Sequence, residues 1–237
     1  MRSGLQGRFL DSIVMLRDEK RWILNEYSFI APVYDFLLFP FLRNIRRQAL
    51  KIVADLKPDR IIDLCCGTGS QLRLLKKYGF HVVGIDLSKS MLKVAKRGMN
   101  APDCFFGDAR ATDFESEAFD LAMITFSLHE TGWKNAHAIL DEVQRILKPG
   151  GHVMVVDYAL GKGAPKMAEL FIGWIEFLAG KSHHRNFIQY KQSGGLDVLL
   201  RNKSLSPVFT IYKGYRSIVL KLLKKDWQGT GTPTLRT

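Results

Sequence analysis

The sequence predicts an α/β fold with a doubly wound, mostly parallel sheet and an antiparallel hairpin at its C-terminal end. Between residues 60 and 158, short apolar runs alternate with amphipathic helical stretches, a pattern typical of βαβ units. After residue 205, two strand-like runs follow each other too closely for a crossover helix. The 237 residues suffice for one such domain with additions.

The central segment contains five predicted strands and three predicted helices. The strands are RIIDLCC, HVVGIDLS, CFFGDA, FDLAMITFSL and HVMVVDY. The helix SQLRLLKKYG ends at Gly79, and the helix SKSMLKVAKRGM has Ser88 as its N-cap. The helix NAHAILDEVQRIL is stopped by the Pro-Gly-Gly sequence at 149–151.

The flanking segments predict a cap and an insertion. Residues 1–58 are predicted to form a helical cap over the ligand-binding edge of the sheet, and residues 59–237 the α/β domain. A helical insertion at about 160–205 is expected to contain APKMAELFIGWIEFLAG as a helix with Trp174 in the core. The polar stretch KSHHRNFIQYKQSGG is interpreted as a connector, and LDVLLRNK as a further helix.

The net charge of +12 is unevenly distributed. Residues 1–60 carry 11 basic and 7 acidic side chains, residues 61–160 carry 11 and 12, and residues 161–237 carry 13 and 4. A basic C-terminal third favours contact with nucleic acid or an anionic membrane surface, or else forms a solvated face. With no secretion signal or membrane-spanning run, we expect a cytoplasmic protein, peripheral to the inner membrane face if the basic surface binds lipid.

The three cysteines indicate a reducing compartment. A disulfide between Cys65 and Cys66 is disfavoured, because adjacent Cα atoms lie about 3.8 Å apart, closer than an unstrained disulfide requires. No second pair of cysteines or histidines stands at the spacing of a zinc site, and Cys104 is isolated. We therefore expect no metal in this protein.

The loop after the first strand predicts a nucleoside-binding site. Gly67 and Gly69 allow the backbone to approach a ligand closely at the carboxyl edge of the sheet. Asp86 ends the second strand, where a carboxylate accepts hydrogen bonds from ribose hydroxyls. Asp108 ends the third strand and is expected to accept from an adenine amino group, while Asp63 precedes the glycine loop.

Two adenosine cofactors are compatible with such a loop. A nicotinamide dinucleotide favours a third glycine for packing near its pyrophosphate, but Leu72 stands at that position. S-adenosylmethionine has no phosphate and favours acidic residues near its ribose, ammonium and adenine groups. The sequence therefore predicts S-adenosylmethionine as the cofactor.

At these residues the chain resembles the class I S-adenosylmethionine-dependent methyltransferases. IIDLCCGTGS, GIDLSKSML, FFGDA, FDLAMITFSLHE and RILKPGGHVMVVDY are similar to the five motifs of that class, in order. The resemblance implies a seven-stranded sheet whose last strand is antiparallel. It also implies a cofactor site made of Asp63, Cys65, Gly67, Thr68, Gly69, Asp86, Leu87, Met91, Asp108, Ala109, Thr125, Phe126, Tyr27 and Tyr34.

Within the class, the chain is similar to the ubiquinone and menaquinone biosynthesis C-methyltransferases. Tyr27, Ala31, Tyr34 and Asp35 match the start of their N-terminal cap, and Cys65 stands where the class has its first glycine. The chain departs from them by carrying FLLFPFLRNIRR after the Tyr-Asp pair, and a His-Glu pair where they carry Arg-Asn after the fourth strand.

The residues after the fourth strand are the predicted catalytic residues. His129 is the candidate general base, and Glu130 is expected to orient it or bind a cation. Alternatively, His129 only hydrogen-bonds the cofactor or caps the next helix. His183, His184 and Arg185 either shape the acceptor pocket or form a solvated loop.

Three functions fit these features. The first is methyl transfer to a small-molecule, apolar or lipid-like acceptor. The second is an RNA methyltransferase that uses the basic C-terminal face, although the fourth strand ends in TFSLHE rather than the Asn/Asp-Pro-Pro-aromatic sequence of base-amine methylases. The third is a non-catalytic cofactor-binding partner protein. The sequence leaves the oligomeric state open.

Overall fold

The computed structural model of the chain describes residues 31–159 and 165–226. Seven strands form one sheet in the order β3-β2-β1-β4-β5-β7-β6. The strands are β1 (Ile61–Leu64), β2 (Val82–Asp86), β3 (Asp103–Phe106), β4 (Phe119–Thr125), β5 (Leu147–Tyr158), β6 (Leu205–Lys213) and β7 (Ile218–Lys225). The helices are α1 (Ala31–Leu56), α2 (Ser70–Lys77), α3 (Lys89–Ala95), α4 (Trp133–Ile146), α5 (Lys166–Ala179), α6 (Lys181–Gln192) and α7 (Gly195–Leu200).

The pairing of the strands confirms the predicted doubly wound sheet. Strands β3, β2, β1, β4 and β5 are parallel neighbours, and Ile61 of β1 pairs with Val82 on one side and Leu121 on the other. Strand β7 runs antiparallel to both β5 and β6. Because only residues 214–217 separate β6 from β7, the two strands must form a hairpin.

Apolar side chains fill both faces of the sheet. Ile62 faces one cluster with α4 and α7, whereas Ile61 faces a second cluster with α1, α2 and α3. Both isoleucines are fully buried, as the near-continuous apolar run of a central parallel strand predicts. The predicted N-cap of α3 is confirmed, because the Ser88 hydroxyl accepts a hydrogen bond from the Met91 amide at 3.3 Å.

The polar stretch interpreted as a connector is a helix. Helix α6 begins after Gly180 and buries His183, Phe187 and Tyr190 on one face. The spacings of four and three residues are helical, but the face consists of histidine and aromatic residues instead of an aliphatic stripe. The prediction of a connector was therefore wrong.

Helix α5 differs from its predicted packing in another way. Trp174, expected in the core, is 66% exposed, and Phe177 one turn later is 61% exposed. The inward face of this helix includes Ile172 and Glu176 instead. In residues 31–159 and 165–226, no helix is both long and apolar enough to cross a membrane.

Candidate active site

A cavity of about 560 Å³ opens at the carboxyl edge of the parallel strands. Its size lies within the range of about 300–1,000 Å³ that is usual for small-molecule sites. The ends of β1, β2 and β4 and the loop after β3 supply most of the wall, and α1 and α6 complete it. This is the edge where an open parallel sheet binds its ligands.

The glycine loop is fastened to the end of β2. The amide of Gly67 donates a 2.7 Å hydrogen bond to Oδ2 of Asp86, and the amide of Ser88 donates one of 2.7 Å to Oδ1. The Cys66 amide also donates to the Ile85 carbonyl at 2.9 Å. The loop and the Asp86 carboxylate are thereby fixed relative to each other before any ligand binds.

Three residues of this loop have left-handed backbone. The φ angles of Cys65, Gly67 and Gly69 are +64°, +54° and +69°. A Cβ on Gly67 would have no atom within 4 Å, whereas a Cβ on Gly69 would lie 3.1 Å from both Ala95 and Pro102. Gly69 does not line the cavity, so its contribution is to the close packing behind the loop.

His129, the predicted general base, does not line the cavity either. Its ring is 3% exposed, with Nδ1 2.6 Å from Oδ1 of Asp157 and Nε2 3.4 Å from Oε1 of Glu176. Both ring nitrogens therefore face carboxylates, and neither faces an acceptor. This geometry contradicts the assignment of His129 as a base and gives it a structural position.

The charges around His129 determine its protonation. Burial alone would lower the pKa of His129, but the Asp157 and Glu176 carboxylates together raise it well above its ordinary value. Glu176 also accepts a 3.1 Å hydrogen bond from the Tyr158 hydroxyl. The imidazolium of His129 therefore joins the ends of β4 and β5 to helix α5.

Glu130 lies on the cavity wall together with His183 of α6. Oε2 of Glu130 is 3.1 Å from Nδ1 of His183, and the Glu130 carbonyl accepts a 2.6 Å hydrogen bond from the Asn186 amide group. Glu130 does not orient His129, because the carboxylates beside His129 belong to Asp157 and Glu176. The acid–base pair that faces the cavity is therefore Glu130 with His183.

Comparison with known proteins identifies a methyltransferase domain. Residues 61–151 match a family described as a methyltransferase domain. A demethylmenaquinone methyltransferase of Thermotoga maritima is 25% identical over 176 residues, which cover 68% of this chain and 74% of that protein. The chain therefore contains a methyltransferase domain that uses S-adenosylmethionine.

Other relatives agree in sequence or in fold. A demethylmenaquinone methyltransferase of Thermus thermophilus is 34% identical over 142 residues, 56% of this chain and 64% of that protein. The chain thus matches less than two thirds of that relative. The structure of a Burkholderia thailandensis 1,6-didemethyltoxoflavin-N1-methyltransferase, with a TM-score of 0.59 at 16% identity, covers 88% of this chain and 90% of that one. This structural likeness confirms the fold.

The cavity of this methyltransferase fits its sulfonium cofactor. Oδ1 of Asp63 and Oγ1 of Thr125 are buried in the cavity region without a hydrogen-bond partner among the described residues. Burial, with Cys104 and Asp86 nearby, raises the pKa of Asp63 well above its ordinary value. A bound ammonium or hydroxyl group would offset both the missing hydrogen bonds and the buried charge.

Asp108, predicted to accept from the adenine amino group, is held by a neighbouring arginine. The Arg110 guanidinium donates to both Asp108 oxygens, at 3.0 Å to Oδ1 and 2.7 Å to Oδ2, and also donates to Asn135 at 2.9 Å. All three residues line the cavity. The arginine fixes the orientation of the carboxylate.

Most of the predicted cofactor residues lie together on the cavity wall. Tyr27 lies outside the described residues, and Tyr34 falls in helix α1. The residues that line the cavity are Asp63, Cys65, Gly67, Thr68, Asp86, Leu87, Met91, Asp108, Ala109, Thr125 and Phe126.

Three charged residues in and near the site were not predicted from the sequence. Arg46 of α1 lines the cavity and lies close enough to Asp63 to lower its pKa in part. Asp157 and Glu176 hold His129. Asp157 had a detectable signal, because it ends a predicted strand just as Asp86 does.

Proposed function

We propose that the protein transfers the methyl group of S-adenosylmethionine to a small, apolar or lipid-like acceptor. The observation that carries this proposal is the wall of the cavity, where the carboxylates at the strand ends adjoin apolar side chains such as Met91 and Phe126. Leu42 and Ile139 add apolar surface to the wall. The name of the quinone-methylating relatives supports an aromatic, apolar acceptor.

Three carboxylates are suited to hold the cofactor. Asp86 is placed to accept hydrogen bonds from the ribose hydroxyls, since each of its oxygens keeps acceptor capacity beyond the backbone amide that it already binds. Asp63 is suited to the ammonium group and Asp108 to the adenine amino group. When bound, S-adenosylmethionine supplies an electrophilic methyl group on a positively charged sulfur.

One contribution of the chain to the reaction is alignment of the cofactor and the acceptor. The fixed glycine loop and the anchored Asp86 hold the cofactor, and the wall formed by α6 holds the methyl acceptor. Alignment of this kind lowers the entropic part of the barrier by up to about 7–11 kcal/mol.

A labelled-methyl assay tests the acceptor class. The protein is incubated with methyl-labelled cofactor and, in parallel, with a lipid extract, an RNA pool and a polar metabolite pool. We expect label in the lipid extract and none with the variant Asp86→Ala. Label confined to RNA or to polar metabolites would contradict the proposal.

An apolar stripe on α5 supports access to a membrane-borne acceptor. Its members, at spacings of three and four residues, are exposed by 60 to 76%. They are Met167, Leu170, Trp174 and Phe177. Three basic residues are also exposed, Lys166 on α5 and Lys181 and Arg185 on α6. Arg185 also lines the cavity. Apolar surface bordered by basic residues is complementary to an anionic lipid surface.

Sedimentation with vesicles tests this docking. We expect binding to vesicles that contain phosphatidylglycerol, weakened by high salt and lost in the double variant Trp174→Ser, Phe177→Ser. The matched control is Tyr215→Ser, because Tyr215 is an exposed aromatic residue on the β6–β7 link. Equal loss in both variants, or no binding by the unaltered protein, would rule out the stripe as a lipid contact.

A further inference from the structure

Glu130 and His183 form a polar pair whose position next to the cofactor region is fixed. Burial is the main cause that raises the pKa of Asp86 and of Cys65, and the nearby Glu130 carboxylate raises both further. The pair thus lies on the cavity wall within electrostatic reach of the glycine loop. A group that exchanges a proton with an acceptor must occupy such a place.

Helix α6 holds this pair rigidly. Asn186, one turn after His183, donates a 2.6 Å hydrogen bond to the carbonyl of Glu130. The backbone amide of Thr131 donates to the Ser127 carbonyl at 3.2 Å and closes the turn that carries Glu130. The His183 ring is buried, whereas the Glu130 side chain is about a quarter exposed, at 24%. The carboxylate is therefore the member that an acceptor reaches first.

The buried groups behind the pair carry a net negative charge. Asp157 and Glu176 contribute two carboxylates and His129 one imidazolium, which leaves one excess negative charge. His183 is near enough to Glu176 to lower its pKa. A proton on His183 would balance that charge. The charged groups nearest to the pair are Asp86 on β2, beside Glu130, and Glu176 on α5, beside His183. His184 and Arg185 follow His183 directly on α6.

We propose that Glu130 and His183 are catalytic residues that accept the proton of the methyl acceptor, and that this acceptor carries an ionisable hydroxyl group. The inference rests on the proposed function. The proton leaves the acceptor oxygen for the Glu130 carboxylate and passes to Nδ1 of His183. The electron pair of the broken O–H bond makes the acceptor nucleophilic toward the methyl carbon, and the electron pair of the carbon–sulfur bond stays on sulfur.

The protonation state of a bound phenol tests this pair directly. The protein is loaded with S-adenosylhomocysteine and mixed with 4-nitrophenol, whose phenolate absorbs visible light. At a pH where the free probe is mainly neutral, we expect the bound probe to be phenolate. In Glu130→Gln and in His183→Gln, the ratio of phenolate to phenol in the bound probe should fall about tenfold or more, which corresponds to at least one pKa unit.

Two controls separate the possible failures. Glu169→Gln is the matched acid-to-amide change, because Glu169 of α5 lies 2.6 Å from Lys191 of α6, the helix that carries His183, and does not line the cavity. It should leave the phenolate signal unchanged. Calorimetry with S-adenosylhomocysteine reports on the cofactor site alone. If the unaltered protein does not bind this ligand, the proposed function itself is overturned. Intact cofactor binding with the probe bound as neutral phenol, or not bound, would overturn only the present inference.

Discussion

Nδ1 of His129 lies 2.6 Å from a carboxylate oxygen of Asp157, and both side chains are almost completely buried. The pair joins the ends of the adjacent strands β4 and β5, and the Asp157 carboxylate also accepts a 3.3 Å hydrogen bond from the His129 amide. Glu176 contacts the other ring nitrogen of His129 and so links α5 to the pair. The residue that sequence reasoning assigned to catalysis therefore stabilises the wall next to the site.

Replacement of His129 is expected to destabilise the fold. In His129→Leu, the carboxylates of Asp157 and Glu176 would stay buried and lose the charge that lies between them. Breaking a buried pair in this way costs about 3–5 kcal/mol of unfolding free energy. Urea unfolding of the variant and the unaltered protein measures the loss, and a change below about 1 kcal/mol would contradict it.

The contribution of His129 to the unfolding free energy is expected to decrease as the pH rises. The pKa of His129 is raised in the folded state, so its contribution is fully present below the unfolded pKa of about 6.5. The contribution is lost as the pH rises through the folded pKa. The difference in unfolding free energy between the unaltered protein and His129→Leu should therefore shrink toward alkaline pH.

Glu142 should show the opposite dependence on pH. Its carboxylate accepts a 2.8 Å hydrogen bond from the Thr112 amide and two from Arg145, and these contacts lower its pKa although burial alone would raise it. Its stabilising effect is present above the unfolded pKa of about 4.3 and is lost as the pH falls through the folded pKa. Glu142→Gln should cost about 1–3 kcal/mol at pH 7.

Unfolding at pH 7 and at pH 3 distinguishes this effect from a general loss of packing. The cost of Glu142→Gln should be larger at pH 7 than at pH 3. An equal cost at both values would mean that the amide disturbs the contact by its shape and not by its charge.

The sheet and the glycine loop were predictable because they depend on local patterns. Periodicity located the five parallel strands, and the short spacing between β6 and β7 required a hairpin. The N-cap at Ser88 and the acidic ends of β1 and β2 also follow from residue type and position. Such features need no knowledge of distant contacts.

The roles of His129 and of α6 depend on contacts between distant residues. The partners of His129 lie 28 and 47 positions further along the chain, at 157 and 176, and no local pattern links them. Helix α6 buries a face of histidine and aromatic residues, which hydropathy does not distinguish from a polar connector. The exposure of Trp174 likewise depends on what α5 packs against.

Cys65 is expected to be replaceable by glycine without loss of cofactor binding. Its φ of +64° lies in the left-handed region, which costs a residue with a Cβ about 1–2 kcal/mol. Cys65→Gly should therefore keep its affinity for S-adenosylhomocysteine and gain part of this energy in unfolding experiments. The matched variant Cys65→Ala removes the thiol but keeps the backbone strain, so it should show no such gain. Loss of binding in both variants would show that the thiol itself is required.

Cofactor affinity should depend on the ionisation of Asp86. Burial raises the pKa of Asp86 to about 6, although the amides of Ser88 and Gly67 offset part of the shift. The charged carboxylate is the better acceptor for ribose hydroxyls. Below pH 6, affinity for S-adenosylhomocysteine should thus fall by about tenfold per pH unit, more if Asp63 also takes up a proton.

The amide variant separates the charge of Asp86 from its shape. Asp86→Asn should bind S-adenosylhomocysteine about 10- to 100-fold more weakly at pH 7, because charged hydrogen bonds contribute about 1.5–3 kcal/mol each. It should also lose most of the dependence on pH. Asp103→Asn, at a side chain that is 69% exposed on β3, should behave like the unaltered protein. Calorimetry from pH 5 to pH 8 measures all three proteins, and an affinity of the unaltered protein that is constant over this range would refute the role of the Asp86 charge.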